Sequence, residues 1–422
     1  MELSEKKVIL LNPPFFRFCG SHNDKAPLSL CYLSEILHQN HIDHVVYNAD
    51  YTGANSYWSF KKLFDEFDTF KQAVDNNGSL YGEVIEKLMG LNPDAVVIMG
   101  ADPLIPTKDW GSPYIAANFS KRLKALGLYT IGLGPYFTMN SEKFISSFDC
   151  ILAGEPSNQI LEILKTRPTG LVDRRPLSTE IIPNFDYLYP EKQRTDIMMT
   201  SFGCLYPCSF CVAGKMYRSF KTPVRFADIE TIIKDVKRRK EKKIYLEDLN
   251  FANYSTKQLH KLVESFQKHE IKKNFVAECS INGVTEERLQ LYKKIGINTL
   301  KLGIEGLTDS MLKNFKKSQT IDKIKSAVEL IHRNEMEYVA YLLIGGDNTQ
   351  VDYQKTLEFI KDLKPNYVVV SIMAYDLNDD YTYDTQFSPV SLNRWNLPKE
   401  IFYRYLELQN EVNPTLGRII HG

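Results

Sequence analysis

The stretch SFGCLYPCSFC, residues 201–211, places three cysteines close together, with three residues between the first pair and two between the second. Its first three residues end an apolar run at 197–203 that indicates a strand, so Cys204, Cys208 and Cys211 lie in the loop after that strand. Where parallel strands alternate with helices, the carboxyl ends of the strands are where binding and catalytic residues gather. The cysteines therefore mark a candidate metal or cluster site.

The number of cysteines bears on which metal centre the loop fits. Three thiolates leave a tetrahedral zinc site one ligand short. The candidates for a fourth ligand fit poorly, because Cys279 lies on a predicted strand and His260 on a predicted helix. Three thiolates do suit a [4Fe–4S] cluster in which one iron keeps an open coordination position. A zinc loop and a group of structural buried cysteines are the alternatives. The remaining cysteines have the pattern of small apolar residues, and they are Cys19, Cys31, Cys150 and Cys279.

Downstream of the cysteines, short apolar runs alternate with amphipathic helical stretches such as ADIETIIKDVKRRKE and DKIKSAVELIHRNE. This alternation is typical of βα units. Six such units suit a partial (β/α)6 barrel with its chemistry at the carboxyl ends of the strands. The predicted strands are 197–203, 243–251, 275–281, 299–306, 338–346 and 367–375.

Upstream of the cysteines, five apolar runs alternate with helical patterns, which predicts an α/β fold with a doubly wound parallel sheet. Ligands of such sheets bind beyond the carboxyl ends of the strands. Glycine there lets a large ligand approach the backbone closely, although ordinary turn glycines give the same pattern. The predicted strands are 7–14, 44–50, 93–102, 129–135 and 149–156, and the residues at their ends are Asn12, Asp50, Gly100, Gly134 and Gly154.

The cysteine loop and the segments after it resemble the radical SAM superfamily. The resemblance rests on CxxxCxxC with Phe210 before the third cysteine, and on YLEDLNF, VAECSI, LKLGIEGLTDSMLKNFKK and LLIGGDN, over roughly residues 197–375. It implies that the three cysteines hold the cluster and that S-adenosylmethionine (SAM) chelates the free iron. It also implies SAM contacts for Phe210, Asp248, Glu278 and Glu305. Each carboxylate taken singly fits a structural role at a strand end equally well.

The first part of the chain is similar to the cobalamin-binding domain that precedes the barrel in one large class of radical SAM enzymes. The similarity lies in the order of LLNPP, PLSLCYLSEILHQNHIDHVVYNAD, PDAVVIMGA, GLGPYFT and DCILAGEP over about residues 1–160. It implies cobalamin contacts for Asn12, Gly100, Gly134 and Gly154. The DxHxxG loop of classical methyl-transfer domains is absent, since His44 is predicted to begin a strand. Cobalt is therefore expected to lack a histidine ligand from this loop.

Together the two resemblances imply a reaction class. Reductive cleavage of SAM would give a 5′-deoxyadenosyl radical that takes hydrogen from the substrate, and methylcobalamin would then methylate the substrate carbon. The leading hypothesis is a cobalamin-dependent radical SAM C-methyltransferase acting on an unactivated carbon. The second is a radical rearrangement or cyclisation without methyl transfer, and the third is a non-catalytic cobalamin or Fe–S sensor. Methylthiolation is disfavoured because the N-terminal half has no second three-cysteine cluster.

The domain organisation follows from shifts in composition along the chain. The C-terminal part holds one amphipathic helix near 398–412, which either covers a substrate or simply packs. An aromatic-rich insertion at 51–80 is either a lid or an extra surface helix. The predicted order is a cobalamin-binding domain at 1–165, a linker rich in proline and charge at 166–196, a radical SAM core at 197–375 and a C-terminal cap at 376–422.

Composition and charge restrict the partners. The 422 residues include 52 Lys+Arg and 52 Asp+Glu, a balance that argues against a nucleic-acid or anionic-membrane surface. No apolar run reaches the roughly 18 residues of a membrane span, and the first residues do not resemble a signal peptide. Seven cysteines without an export signal indicate the cytoplasm. The expected partners are a small-molecule or natural-product substrate, with a modified peptide as the other substrate class, and an electron donor such as flavodoxin or ferredoxin.

Overall fold

The computed structural model of the chain describes residues 6–18, 23–52, 61, 65–75, 79–106, 111–218, 220–373 and 396–413. These residues form two compact units, of which the first ends at Thr195 and the second begins at Asp196. Each unit is built on its own parallel sheet. The α/β fold predicted for both halves is therefore confirmed.

The strands of the first unit form one sheet. They are β1 (Lys7–Asn12), β2 (Asp43–Asn48), β3 (Ala95–Met99), β4 (Tyr129–Leu133), β5 (Cys150–Gly154), β6 (Gly170–Arg175) and β7 (Leu188–Tyr189). Within the described residues their order is β6-β5-β4-β3-β1-β2-β7, with every pair parallel. The strand order reverses at β1, where Val8 lies opposite both His44 and Ala95. Such a switch point is where doubly wound sheets open a crevice beyond the strand ends.

Short apolar runs explain the central strands of this sheet. AVVIM in β3, YTIGL in β4 and CILAG in β5 are buried along their whole length. Parallel strands covered on both faces have this continuous apolar pattern rather than an alternating one. All five strands predicted for this half are confirmed in position.

Helices connect the strands of the first unit. They are α1 (Leu28–Gln39), α2 (Phe67–Asp75), α3 (Ser79–Gly90), α4 (Pro113–Ala125), α5 (Pro135–Met139), α6 (Ser141–Phe144) and α7 (Gln159–Thr166). At the start of α4 the Ser112 hydroxyl accepts a hydrogen bond from the Ile115 N–H at 3.3 Å, and Pro113 occupies the first helical position. In the predicted insertion at 51–80, α2 is a helix, as one of the two interpretations expects. Residues 53–60, 62–64 and 76–78 of that insertion lie outside the described residues.

The segment predicted as a linker, 166–196, belongs to the first unit up to Thr195. β6 pairs with β5 at one edge of the sheet, and β7 pairs with β2 at the other. Side chains of β6 alternate between half-buried and exposed because the strand lies at an edge, so GLVDRR carries little apolar signal. The first unit therefore extends beyond the predicted boundary at residue 165 to Thr195.

The second unit contains a larger sheet and a short two-stranded one. The strands are β8 (Ile197–Met198), β9 (Ser201–Gly203), β10 (Val224–Phe226), β11 (Lys243–Leu246), β12 (Asn274–Cys279), β13 (Ile297–Glu305), β14 (Glu337–Ile344) and β15 (Tyr367–Ile372). In the described part, six of them form a parallel sheet in the order β15-β14-β13-β12-β11-β8. This sequential order is that of a partial (β/α)6 barrel, as predicted.

The predicted strand 197–203 is interrupted near its middle. β8 pairs with β11, whereas β9 leaves the larger sheet and pairs antiparallel with β10, so that Gly203 lies opposite Val224. At the break, the Thr200 N–H donates to the Asp248 carboxylate at 2.6 Å. The continuous run IMMTSFG gives no sign of this change of partner.

Helices alternate with the strands of the second unit. Hydroxyl side chains begin five of those that the structure describes, each accepting a hydrogen bond from an N–H three residues on; they are Ser255, Thr285, Thr308, Thr320 and Thr349. The helices are α8 (Val212–Tyr217), α9 (Ile229–Arg238), α10 (Thr256–Lys268), α11 (Glu286–Ile295), α12 (Asp309–Asn314), α13 (Ile321–Arg333), α14 (Gln350–Asp362) and α15 (Lys399–Val412).

The predicted C-terminal helix is α15, and its side chains cover the sheet edge at β15. The Gln409 side-chain oxygen accepts a hydrogen bond from the Val370 N–H at 2.8 Å, and the Asn413 amide bonds both the N–H and the carbonyl of Val368. These amides replace a neighbouring strand at an edge that otherwise invites pairing. Residues 376–395 and 414–422 of the predicted cap lie outside the described residues. Of the helices that the structure describes, none is long and apolar enough to cross a membrane.

Candidate active site

The loop that carries the cysteines begins at a turn that only glycine fits. Gly203 has a φ of +89°, and a Cβ atom there would lie 1.9 Å from the carbonyl oxygen of Pro223. The close approach holds Gly203 against β10, so that Cys204 begins the long connection between the paired strands β9 and β10. At the other end of the loop, a Cβ atom at Gly214 would lie 2.9 Å from the carbonyl oxygen of Tyr206. The loop is thus folded back tightly against the start of α8.

The three cysteine side chains lie near one another. Cys204 is buried, while Cys208 and Cys211 are half-buried. The Cys211 N–H donates to the Cys208 carbonyl at 3.3 Å, and each thiol interacts electrostatically with another of the three. Burial raises the pKa of Cys208 and of Cys211 to about 11, and it also raises the pKa of Cys204. The thiols therefore keep their protons near neutral pH until a bound metal displaces them.

This donor set fits an iron–sulfur cluster better than a single ion. Within the described ranges, no three histidine, cysteine or acidic side chains are arranged to hold one metal ion. A [4Fe–4S] cluster takes its thiolates on different irons, so its ligands stand further apart. Neither candidate for a fourth zinc ligand joins the loop, because the Cys279 thiol donates to the Ser280 carbonyl at 3.3 Å and His260 is exposed on α10.

The tip of the cysteine loop is attached to the segment around the end of α12. Ser209 donates its N–H to the carbonyl of Phe315 at 3.1 Å and its hydroxyl to the carbonyl of Asn314 at 2.9 Å. The rings of Phe210 and Phe315 meet edge to face with centroids 5.5 Å apart, an arrangement that aromatic rings favour. Phe210, one of the predicted SAM contacts, thus also fixes the loop to the segment that follows α12.

Lys317 is a candidate site residue that the sequence did not single out. Its side chain is 10% exposed, and its Nζ lies 3.3 Å from Oε1 of Glu305 and 6.0 Å from the centre of the Phe210 ring. Burial alone would lower the pKa of Lys317, but its electrostatic interactions with Glu305, Cys208 and Cys211 together raise it. In the sequence it is one of two adjacent lysines after a helix, a pattern that predicts only a solvated surface.

Glu305 takes an unusual backbone conformation at the end of β13. Its φ of +66° is in the left-handed region, which residues other than glycine seldom adopt. Gly303 makes room for its side chain, because a Cβ atom there would lie 2.7 Å from Oε1 of Glu305 and 3.0 Å from Nζ of Lys317. Burial raises the pKa of the Glu305 carboxyl, and Lys317 opposes this shift. The absent Cβ of Gly303 and the left-handed conformation of Glu305 together accommodate the ion pair at the end of β13.

Glu278 lies at the end of the neighbouring strand and has other partners. Its carboxylate is 3.6 Å from Nζ of Lys301 and accepts a hydrogen bond from the Tyr341 hydroxyl at 3.4 Å. Its negative charge also contributes to the raised pKa of Glu305. The structure therefore brings these two predicted site residues into one electrostatic neighbourhood.

Asp248 is fully buried and is used by the protein itself. Its carboxylate accepts hydrogen bonds from the N–H and hydroxyl of Thr200, at 2.6 and 2.5 Å, and from the Ser201 hydroxyl at 2.9 Å. Burial raises the pKa of Asp248, and these donors lower it. Asp248 thereby fixes the break between β8 and β9 that leads into the cysteine loop, while its contact with SAM stays a prediction.

The polar strand ends of the first unit are held by local hydrogen bonds. The Asn12 amide donates to the side-chain oxygen of Asn48 at 2.9 Å. Asp50 accepts hydrogen bonds from the N–H groups of Phe15 and Arg17 at 2.7 and 3.1 Å, and burial raises its pKa to about 7. These contacts order the loops that follow β1 and β2.

The three glycines predicted to contact cobalamin lie at adjacent strand ends. A Cβ atom at Gly100 would lie 2.8 Å from the ring of Phe137, and one at Gly134 would lie 3.2 Å from the carbonyl oxygen of Ala101. Gly154 has a φ of +82°, which itself favours glycine. Packing and backbone conformation account for all three glycines, so their contact with cobalamin stays a prediction.

His44 is engaged within the first unit. It lies in β2, where its Nδ1 is 2.8 Å from the Ile42 carbonyl and its Nε2 is 2.8 Å from the Ser34 hydroxyl. Because a carbonyl only accepts, the Nδ1 position carries the proton and the Nε2 position accepts from Ser34. Burial lowers the pKa of His44 and favours this neutral form. Both ring nitrogens are thus engaged by groups of the protein.

Known proteins resemble this chain in sequence and in fold. Residues 198–373 match the model of the Radical SAM superfamily. The chain is 28% identical over 187 residues, 41% of its length, to a putative methylthiotransferase of Methanocaldococcus jannaschii, and covers 40% of that protein. It is 25% identical over 297 residues, 65% of its length, to the anaerobic magnesium-protoporphyrin IX monomethyl ester cyclase of Rubrivivax gelatinosus, and covers 50% of it. The chain thus spans half or less of the length of these relatives.

Two solved structures share the fold over most of the chain. TsrM from Kitasatospora setae, a radical SAM methyltransferase, superposes with a TM-score of 0.60 at 14% identity, covering 87% of this chain and 73% of TsrM. The cobalamin-dependent SAM radical enzyme OxsB superposes with a TM-score of 0.60 at 14% identity, covering 97% of this chain and 56% of OxsB.

Residues 198–373 of the second unit therefore match the Radical SAM superfamily, and this match implies a [4Fe–4S] cluster and SAM. That Cys204, Cys208 and Cys211 hold the cluster stays a prediction. With the doubly wound unit before it, the chain has the fold of cobalamin-dependent radical SAM enzymes.

Proposed function

We propose that this protein is a cobalamin-dependent radical SAM enzyme that methylates an unactivated carbon of its substrate. One observation carries the proposal: a three-cysteine radical SAM unit follows a doubly wound unit in one chain, and this combination has the fold of TsrM and OxsB. TsrM is a methyltransferase, and OxsB binds cobalamin and SAM. We extend these properties to this chain.

In this proposal Cys204, Cys208 and Cys211 hold the cluster and leave one iron for SAM. When bound, the cluster supplies the electron that cleaves SAM to methionine and a 5′-deoxyadenosyl radical, and cobalamin carries the methyl group. The chain contributes three thiols that would release their protons to solvent on binding iron, in a loop fixed at its tip by Ser209 and Phe210. Fixed ligands keep the open iron in one position relative to the substrate.

Phe210, Glu278 and Glu305 are the proposed SAM contacts. The ring of Phe210 lies at the loop tip, and the two carboxylates share the same neighbourhood at adjacent strand ends. Carboxylates accept hydrogen bonds from an ammonium group or a ribose hydroxyl. Asp248, also a predicted contact, has an evident positioning role through Thr200.

We assign cobalamin to the first unit, at the carboxyl ends of the strands that carry Asn12, Gly100, Gly134 and Gly154. Ligands of doubly wound sheets bind at this edge. Both nitrogens of His44 have protein partners, which supports cobalt without a ligand from this residue.

Cyclisation or rearrangement without methyl transfer is the second candidate. It is favoured by the similarity to the Rubrivivax gelatinosus cyclase, which extends over 65% of this chain. For either reaction we propose a small-molecule or natural-product substrate, a cytoplasmic setting and a small electron-transfer protein as reductant.

The products of SAM distinguish these proposals. The cluster-loaded full chain, supplied with cobalamin, SAM and dithionite under anaerobic conditions, should form 5′-deoxyadenosine, and methyl transfer should add S-adenosylhomocysteine. 5′-Deoxyadenosine without S-adenosylhomocysteine would favour cyclisation or rearrangement. Retained cobalamin with neither product would refute enzymatic activity and favour a sensor.

Cysteine variants provide the matched control for this experiment. Cys208→Ala should abolish the visible absorbance of the cluster and the formation of 5′-deoxyadenosine. Cys150→Ala removes the same atoms from a buried strand of the first unit and should retain both. Full iron content in the triple variant of Cys204, Cys208 and Cys211 would overturn the site.

A further inference from the structure

A buried positive charge lies beside the three cysteines of the second unit. Lys317 interacts electrostatically with all three thiols, Cys204, Cys208 and Cys211. Its side chain is largely shielded from water, with 10% exposed, and forms an ion pair with Glu305 at 3.3 Å. Solvent therefore screens this charge far less than that of a surface lysine.

The position of Lys317 is fixed from both sides along the chain. Before it, Asn314 and Phe315 accept the two hydrogen bonds of Ser209 at the tip of the cysteine loop. After it, the Gln319 side chain donates to the carbonyl groups of Gly303 and Ile304 at 3.3 and 3.2 Å. The lysine is thus held between the cysteine loop and the end of β13.

The surrounding backbone is arranged to admit the ion pair. Gly303 lacks the Cβ atom that would press on both charged groups, and Glu305 adopts a left-handed conformation to reach Lys317. A non-glycine residue in that conformation carries backbone strain. Backbone strain beside a buried ion pair indicates that the conformation is kept for function rather than for stability.

We propose that Lys317, held by Glu305, sets the reduction potential of the cluster bound by the three cysteines. One-electron reduction takes the cluster core from the 2+ to the 1+ state and so adds one negative charge. A nearby ammonium group stabilises that charge and makes the cluster easier to reduce, whereas Glu305 limits the effect. The inference rests on the cluster in the proposed function, but on neither cobalamin nor methyl transfer.

A redox titration of the cluster-loaded full chain without SAM tests this role. The signal of the reduced cluster is followed by electron paramagnetic resonance as dithionite lowers the potential. Lys317→Met should lower the midpoint by a tenfold change in the reduced-to-oxidised ratio, about 59 mV for one electron. Glu305→Gln should shift the midpoint in the opposite direction, and Lys317→Arg should stay close to the parent.

Exposed Lys313 on α12 provides the matched control. Lys313→Met removes the same charge from a solvated position and should leave the midpoint unchanged. A fully iron-loaded Lys317→Met protein with the parental midpoint potential would overturn the proposal. A midpoint potential in Lys317→Arg that is lowered as much as in Lys317→Met would also overturn it, because arginine keeps the positive charge.

Loss of the cluster in a variant is also informative. If the Lys317→Met protein fails to retain iron, the redox titration of Glu305→Gln tests the proposal instead. A midpoint potential equal to that of the parent protein would then refute the proposal. If both fail while Lys317→Arg retains iron, the pair is structural and the proposal is wrong. Normal titration in a protein that forms no product from SAM would instead refute the proposed function alone.

Discussion

Three acidic residues of the second unit, each at or just beyond a strand end, have different roles because their partners differ. Asp248 is enclosed by the donors of Thr200 and Ser201. Glu278 and Glu305 instead lie beside lysines, at 3.6 and 3.3 Å, and retain some exposure. Position at a strand end therefore does not determine function; the local donors do.

Replacing Asp248 should mainly lower the stability of the fold, rather than act directly on the binding of SAM. Asp248→Ala leaves buried donors of Thr200 and Ser201 without an acceptor, which should lower the free energy of unfolding by about 3 kcal/mol. Urea unfolding of the full chain measures this loss. Glu278→Ala, which removes a less enclosed carboxylate, should cost less stability. Parental stability of Asp248→Ala would contradict the positioning role.

Lys317 shows what the sequence could not reveal about the site. The cysteine spacing predicted Cys204, Cys208 and Cys211 as cluster ligands, because three thiols within eight residues carry the chemistry in their spacing. Lys317 lies more than a hundred residues downstream and reaches the loop only through the folding of β13 and α12. A buried lysine after a helix looks like a surface lysine until its tertiary contacts are known.

At the scale of elements, the antiparallel pairing of β9 with β10 determines where the cysteine loop begins. Gly203→Ala places a methyl group against the Pro223 carbonyl, where the available gap is 1.9 Å. We expect β9 and β10 to separate and the iron content of the reconstituted protein to fall sharply. Iron and sulfide analysis measures the effect.

Gly170 offers a control with the same backbone conformation and no clash. Its φ is +94°, but no atom lies within 4 Å of a Cβ atom built there. Gly170→Ala should cost only the left-handed conformation, about 1 kcal/mol, and should keep full iron content. Equal iron content in the two variants would show that the Pro223 contact does not govern the loop.

The strands divide into those that the sequence predicts and those that it does not. Interior strands such as β3 and β14 were predicted because burial on both faces requires continuous apolar runs. The edge strand β6 was assigned to a linker because exposed polar residues interrupt its pattern. The division of 197–203 into β8 and β9 depends on Asp248, which is distant in sequence, so no local pattern encodes it.

At the scale of the whole molecule, the two units each have a separate parallel sheet. The first unit needs the segment 166–195, which supplies both of its edge strands. The same segment closes a buried contact in which the Leu177 N–H donates to Glu155 at 2.6 Å.

This division predicts how fragments of the chain behave. A fragment of residues 1–195 should be monomeric and unfold cooperatively, because its sheet edges are complete. A fragment of residues 1–165 lacks β6 and β7, leaves the edges of β5 and β2 open, and should aggregate. Size-exclusion chromatography and thermal unfolding compare the two. If both fragments are monomeric and unfold cooperatively, the first unit ends at residue 165, as the composition of the sequence predicts.

The hydrogen bond between Ser209 and Asn314 spans 105 positions of the chain. During synthesis the cysteine loop therefore leaves the ribosome well before the segment that fixes its tip has been made. The cysteines remain on an unanchored loop until β13 and α12 have formed. Iron that arrives before β13 and α12 have formed would encounter cysteines on an unanchored loop. Iron that arrives afterwards would encounter cysteines whose loop is already fixed at its tip. If the three cysteines hold the cluster as proposed, this topology predicts that the middle of the second unit folds before the cluster is stably inserted.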